Sequence, residues 1–139
     1  MMASLSAVKR TLDQIRALNA YTAAGPGKTF SGKDGGEVAK KVPGLVVMHG
    51  LLGAMAFALS DKNKAGHQAV FKAVLDHLQD PAIDDPTARG KTTVEDWFKK
   101  LADEDTSATQ LRLTTAETLA YLTFLRRFAK KDKEAGNGE

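Results

Sequence analysis

Apolar residues return at intervals of three and four along almost the whole chain, a spacing that fits one face of an α-helix and not a strand. Leu5, Val8, Leu12, Ile15 and Leu18 or Asn19 set the period, with Ser4 or Ser6 available as a cap, and predict a helix to about Ala24. A second helix is expected from near Glu37 to about Met48, with a kink or early break at Pro43, where a backbone donor is missing. Leu51, Leu52, Met55, Ala56 and Leu59 mark a third, apolar on most sides and therefore buried. Val70, Phe71, Val74, Leu75 and Leu78 mark a fourth. Thr93 and Asp96 imitate a capping box ahead of a fifth, where Val94, Trp97, Phe98 and Leu101 share a face. The last and longest helix is expected from about Thr106 to Lys131, with Leu111, Ala116, Leu119, Leu122, Leu125 and Phe128 inward.

No segment alternates convincingly, and β-branched residues do not cluster as they do in strands. The expected fold class is therefore all-α, a single-domain bundle of about six helices with the longest at the C-terminus. The domain covers residues 1–131, and 132–139 read as a flexible tail. Two loops interrupt it: a glycine-rich one at 25–36, with five of the chain's twelve glycines, and one at 81–92 bounded by Pro81 and Pro86. A chain of 139 residues suits one core and buries roughly two-thirds of its unfolded surface without a metal or disulfide staple.

Composition removes several function classes. Cysteine is absent, which excludes thiol catalysis, Cys-ligated zinc and iron–sulfur clusters and fits a reducing, cytoplasmic setting. Aromatic residues make up only 6%, which argues against an RNA-binding sheet with stacked rings. Lys9, Arg10, Asp13 and Arg16 break any apolar run near the start, so no secretory signal is expected. Val42 to Leu59 barely reaches the length of a membrane span and contains Pro43, His49 and three glycines. Two core helices meeting near His49 and Gly50 explain it better, and no membrane partner is expected.

Catalytic and metal sites find no support. Gly27-Lys28-Thr29 resembles the end of a phosphate-binding loop, but the first glycine of that motif falls at Thr22. The shifted frame, Gly27 to Gly32-Lys33, puts Asp34 where a hydroxyl should hold magnesium, and a helix precedes it instead of a strand. No nucleotide cofactor is expected. His49, His67 and His77 lack the i, i+4 spacing that turns two imidazoles toward one metal. His49 reads as a hydrogen-bonded residue at a helix joint. Asp76 and Asp80 near His77, and the Asp84-Asp85 pair, read as helix-end and loop charge. The chain is therefore expected not to be an enzyme.

Basic residues presented from helices remain. The formal charge of +3 averages an acidic segment, net −3 over 81–110, with basic segments on either side. Arg126, Arg127, Lys130 and Lys131 fall within two turns of the last helix, Lys40 and Lys41 precede the apolar segment, and Lys9, Arg10 and Arg16 dot the first helix. Such a distribution suits polyanion binding or head-to-tail self-association, and it also fits an ordinary solvated surface.

The segment Lys40-Lys41-Val42-Pro43-Gly44-Leu45-Val46, followed by Gly50-Leu51-Leu52-Gly53, Ala56-Phe57 and Lys62, resembles a stretch of one family. That family is the Cmr-type small subunit of type III-B CRISPR RNA-guided effector complexes. Arg112, Thr115, Glu117, Leu119, Leu122, Leu125, Arg127, Phe128 and Ala129 resemble its closing pattern, and Gln14, Arg16 and Ala17 its first-helix signature. His49 stands in place of the family's usual Asn, Leu111 where an aromatic is common, and Phe124 for a usual Trp.

The resemblance implies a helical, non-catalytic subunit that packs side by side in a minor filament and contacts RNA in antiviral defence. Its implied partners are the other subunits of the effector complex, copies of itself and target RNA, with guide RNA a further candidate. The residues expected to touch RNA are Arg16, Lys40, Lys41, Arg112, Arg126, Arg127 and Lys130. A second reading is a purely structural adaptor, in which the acidic 81–110 region meets a basic face of the next copy without direct RNA contact.

Overall fold

A computed structural model describes residues 10–25 and 33–137, excluding the side chains of 33–36, 62 and 130–137. The described residues are all-α, as the periodicity predicts: α1 (Leu12–Ala24), α2 (Lys33–Leu59), a 3₁₀ turn (Lys62–Lys64), α3 (Ala65–Leu78), α4 (Val94–Ala102) and α5 (Ala108–Asn137). α5 is the longest at 30 residues.

Helix α1 starts at Leu12 because Thr11 caps it; Ser4 and Ser6 lie outside the described residues. The Thr11 hydroxyl accepts the Gln14 N–H at 3.1 Å while the Gln14 side-chain oxygen Oε1 accepts the Thr11 N–H at 2.7 Å, a reciprocal capping box. Ile15, Ala20 and Ala24 are buried, whereas Leu12 and Leu18 are exposed and Asn19 turns partly inward. The period therefore runs through the alanines and not through Leu18.

The second and third expected helices run on as α2 and meet, as expected, at a non-helical break at Gly50. Gly50 takes φ +80° and ψ 164°, a conformation that L side chains rarely adopt, so the helix axis turns there. Pro43 keeps helical dihedrals and does not bend the chain. It forfeits one i→i−4 bond, to Ala39, and its fixed φ is itself compatible with a helix. The helix also begins at Lys33, four residues before Glu37, so the end of the expected 25–36 loop is helical. Its stretch from Glu37 to Leu59 is long and apolar enough to cross a membrane by length and composition. Here it supplies Val42, Val46, Leu51, Ala54, Met55 and Ala58 to the bundle core. His49 is exposed at the bend and is not the hydrogen-bonded joint residue expected from its position.

Those α2 residues meet Val70, Phe71, Val74, Leu75 and Leu78 of α3, Trp97 and Leu101 of α4, and Tyr121, Leu122, Leu125 and Ala129 of α5. Thr93 caps α4, its hydroxyl accepting the Asp96 N–H at 3.0 Å. α5 runs through Asn137 where the period predicted an end near Lys131, and Ala116, expected inward, is exposed.

The segment between α3 and α4 is pinned from inside. Asp85 is buried, not a solvated loop charge. One carboxylate oxygen accepts the Thr87 N–H at 2.8 Å and the Thr87 hydroxyl at 2.6 Å, and the other accepts the Thr114 hydroxyl of α5 at 2.6 Å. Thr87 Oγ1 in turn accepts the indole N–H of Trp97 at 3.1 Å. A buried carboxylate is tolerated because each oxygen has donors.

Candidate functional site

Three helices are tied by one polar network. Arg16 of α1 grips Glu117 of α5 with two bonds, Nε to Oε2 at 2.8 Å and Nη2 to Oε1 at 2.7 Å, and its Nη1 donates to Asp13 at 2.9 Å. Such a fork-to-carboxylate pair fixes orientation as well as charge. His77 of α3 lies 2.9 Å from Glu117 Oε2 through Nε2 and 2.9 Å from Asn19 Nδ2 through Nδ1. Asn19 Nδ2 also donates to Asp80 Oδ2 at 3.0 Å. A carboxylate only accepts, so the Asn19 amide must offer its NH₂ group to both neighbours; His77 then accepts at Nδ1 and donates from Nε2. The imidazole is buried and stacked on Tyr121, ring centres 4.2 Å apart.

The electrostatics follow from this geometry. Burial alone would disfavour the Glu117 carboxylate, but the bonds from Arg16 and His77 outweigh it and hold its pKa down to about 2. The same bond to Glu117 raises Arg16 above arginine's already high value against the opposing effect of burial. For Asp80, burial is outweighed by the Ala82 N–H and by Asn19, and its pKa falls below the usual range. Burial raises Tyr121.

A cleft of about 550 Å³ opens beside this network, lined by Asn19, Thr22, Lys72, Asp76, His77 and Tyr121 among others. His77 and Glu117 have the form of a base with its orienting carboxylate, yet both ring nitrogens are already bonded and Lys72 is paired with Asp76 at 2.8 Å. The arrangement fastens helices, and the His77 ring offers the cleft no free nitrogen lone pair. Among the described residues, no group of three or more His, Asp or Glu side chains is placed to hold a metal ion. Gly27-Lys28-Thr29 and Gly32 lie outside the described residues, and Lys33 and Asp34 lie in the first turn of α2.

The cations expected to face RNA separate into two kinds. Arg16 is spent on Glu117 and Asp13 and retains little free charge. Lys40, Lys41, Arg112, Arg126 and Arg127 are exposed, and none pairs with a carboxylate among the described residues. Lys130 is in the α5 backbone, its side chain outside the described set. At about 100° per residue, Arg112, Arg126 and position 130 fall within about 40° of one another along α5. Glu117 and Phe128, which meet Arg16 and Tyr21 of α1, lie on the opposite flank. α5 thus carries basic residues along a side that α1 leaves free.

Residues 12–131 match the family described as CRISPR-associated protein (Cas_Cmr5). This chain belongs to that family. The match begins with α1 and ends within α5, so it covers every residue of the Arg16, Lys40, Lys41, Arg112, Arg126, Arg127 and Lys130 set. It agrees with the small-subunit resemblance drawn from the Lys40 to Lys62 segment and the last helix. No curated protein and no solved structure matches the chain.

Within this Cmr5-family chain, the network of Asn19, His77, Asp80 and Glu117 went unread in the sequence. Two signals pointed to it: His77 sits between Leu75 and Leu78 on an apolar face, and Glu117 interrupts an apolar stripe one turn before Tyr121. Neither names its partner, since Arg16 and Glu117 are 101 residues apart.

Proposed function

We propose that this chain is a non-catalytic small subunit of a type III-B CRISPR effector complex, working in the cytoplasm in antiviral defence. It packs beside copies of itself and other subunits in a minor filament and contacts target RNA through basic helix surfaces. The family membership supports the complex; the exposed, carboxylate-free cations of α2 and α5 carry the RNA reading. Unpaired cations on rigid helices meet phosphates without first breaking an internal ion pair, and such contacts position a strand without reading its sequence. Few cations per subunit bind weakly alone, and copies in a row multiply them.

A structural adaptor without RNA contact is the second reading, favoured by one observation. Val47 and Met48 at the α2 bend are 71% and 77% exposed, apolar surface of the kind that neighbouring subunits cover. Hydroxyl-radical footprinting of target RNA in the assembled complex separates the two. RNA contact predicts protection that recurs with the spacing of the subunit and disappears when this subunit is omitted. An identical cleavage pattern with and without the subunit leaves only the adaptor.

A further inference from the structure

Phe57, Lys64, His67 and Lys41 come from α2, the 3₁₀ turn and α3 and gather on one surface. Phe57 is 43% exposed. Lys64 Nζ stands 4.7 Å from the centre of its ring, and the His67 ring meets it edge to face, centres 5.4 Å apart. Lys41 approaches from the first half of α2: burial, then Lys64, then Lys41 hold His67 below the usual histidine value. Packing explains the approach. Gly66 lies so close to Val38 that a Cβ there would come within 3.1 Å of Val38 Cγ2, and Lys41 is one turn beyond Val38.

No carboxylate pairs with Lys41 or Lys64 among the described residues. Asp61, the nearest acidic residue in sequence to Lys64, turns its carboxylate to the Asn63 N–H at 2.8 Å. The Lys64 ammonium over an exposed aromatic ring, and the Lys41 ammonium on the side of His67, therefore have no paired carboxylate among the described residues. A nucleotide supplies what is missing on both counts, a flat π-face for the ring and anionic phosphates for the ammonium groups.

We propose that Phe57, Lys41 and Lys64 form a contact site for a nucleotide of single-stranded RNA, the base against the Phe57 ring and its flanking phosphates on the two lysines. Lys64 exchanges its place over the ring for a phosphate oxygen, one charge contact for another. The site rests on the reading of the chain as an RNA-contacting subunit and adds to it a stacking residue, which a charge-only surface lacks.

Photo-crosslinking tests it. The assembled complex is loaded with target RNA carrying 4-thiouridine, irradiated and digested with trypsin. The site predicts adducts on the peptide spanning 42–62, which contains Phe57. In titrations of the full-length chain with oligouridine at low salt, Phe57→Leu lowers affinity about five- to a hundred-fold and leaves the salt slope unchanged. Lys41→Gln with Lys64→Gln instead lowers that slope by about 1.4. Phe57→Tyr, which keeps the ring face, binds like the parent, and thermal melts establish that each variant is folded.

Adducts on α5 peptides alone, together with unchanged affinity for Phe57→Leu, overturn this site and leave RNA contact standing. No adduct anywhere on the chain overturns the RNA reading itself. Carbodiimide coupling of Lys41 or Lys64 to a neighbouring subunit in the presence of bound RNA assigns the patch to a protein carboxylate and overturns the site.

Discussion

Replacing Glu117 by Gln keeps the shape of the side chain and removes the charge that Arg16 and His77 share. Glu117 and Arg16 are 15% and 17% exposed at their side chains, so the variant leaves a mostly buried guanidinium with only the exposed Asp13 to balance it. The gap between the ordinary value of 4.5 and the native pKa of about 2 corresponds to about 3.4 kcal/mol if nothing screens it. Residual solvent access reduces that to about 2 kcal/mol, or roughly 6–10 °C in Tm for a domain of this size. The sign fixes a pH window. A carboxylate whose pKa is depressed by folding contributes fully above about 4.5 and loses the contribution as pH falls toward about 2. Urea unfolding followed by circular dichroism at a series of pH values is the assay. A gap of about 2 kcal/mol between parent and Glu117→Gln is expected at pH 7, with more than half of it gone by about pH 3. A gap of the same size at pH 7 and pH 3, or none at either, refutes the claim that ionised Glu117 fastens the three helices.

Gly50→Ala puts a side chain at φ +80° with nothing within 4 Å to clash, so its cost is backbone strain, about 1–3 kcal/mol in a thermal melt. Thr118 is buried on α5 with no partner for its hydroxyl among the described residues, so Thr118→Val stabilises by about 1 kcal/mol in the same experiment. Asp85→Ala strands the hydroxyls of Thr87 and Thr114 and loosens the turn under Trp97, the only tryptophan; it costs about 2–3 kcal/mol and shifts Trp97 fluorescence to the red.

Local chemistry was readable in the sequence, and pairing across the bundle was not. The 3.6-residue period marked the helices, and glycine at position 50 marked the bend, because both are properties of a short stretch of backbone. Pro43 misled: a proline's preferred φ is helical, and here the glycine seven residues later takes the change of direction. Thr11-x-x-Gln14 carries the signature of the α1 cap, whereas the helical period extends upstream to Leu5 and points to Ser4 or Ser6 instead. Asp85 read as loop charge because its donors come from α5 and from its own turn, which only the folded chain brings together. The same holds for Arg16. On a helix surface in sequence it resembles Arg126, and only the proximity of Glu117 separates a structural guanidinium from a free one.

Charge reversal puts that separation of free from structural cations to the test. Lys40, Lys41, Arg126 and Arg127 are changed to Glu in a reconstituted complex, and target RNA affinity is measured from low to moderate salt. If these free cations hold the strand, binding weakens at low salt and the salt slope becomes shallower by about 0.7 for each phosphate no longer neutralised. Unchanged affinity together with an unchanged slope contradicts an RNA surface built from them.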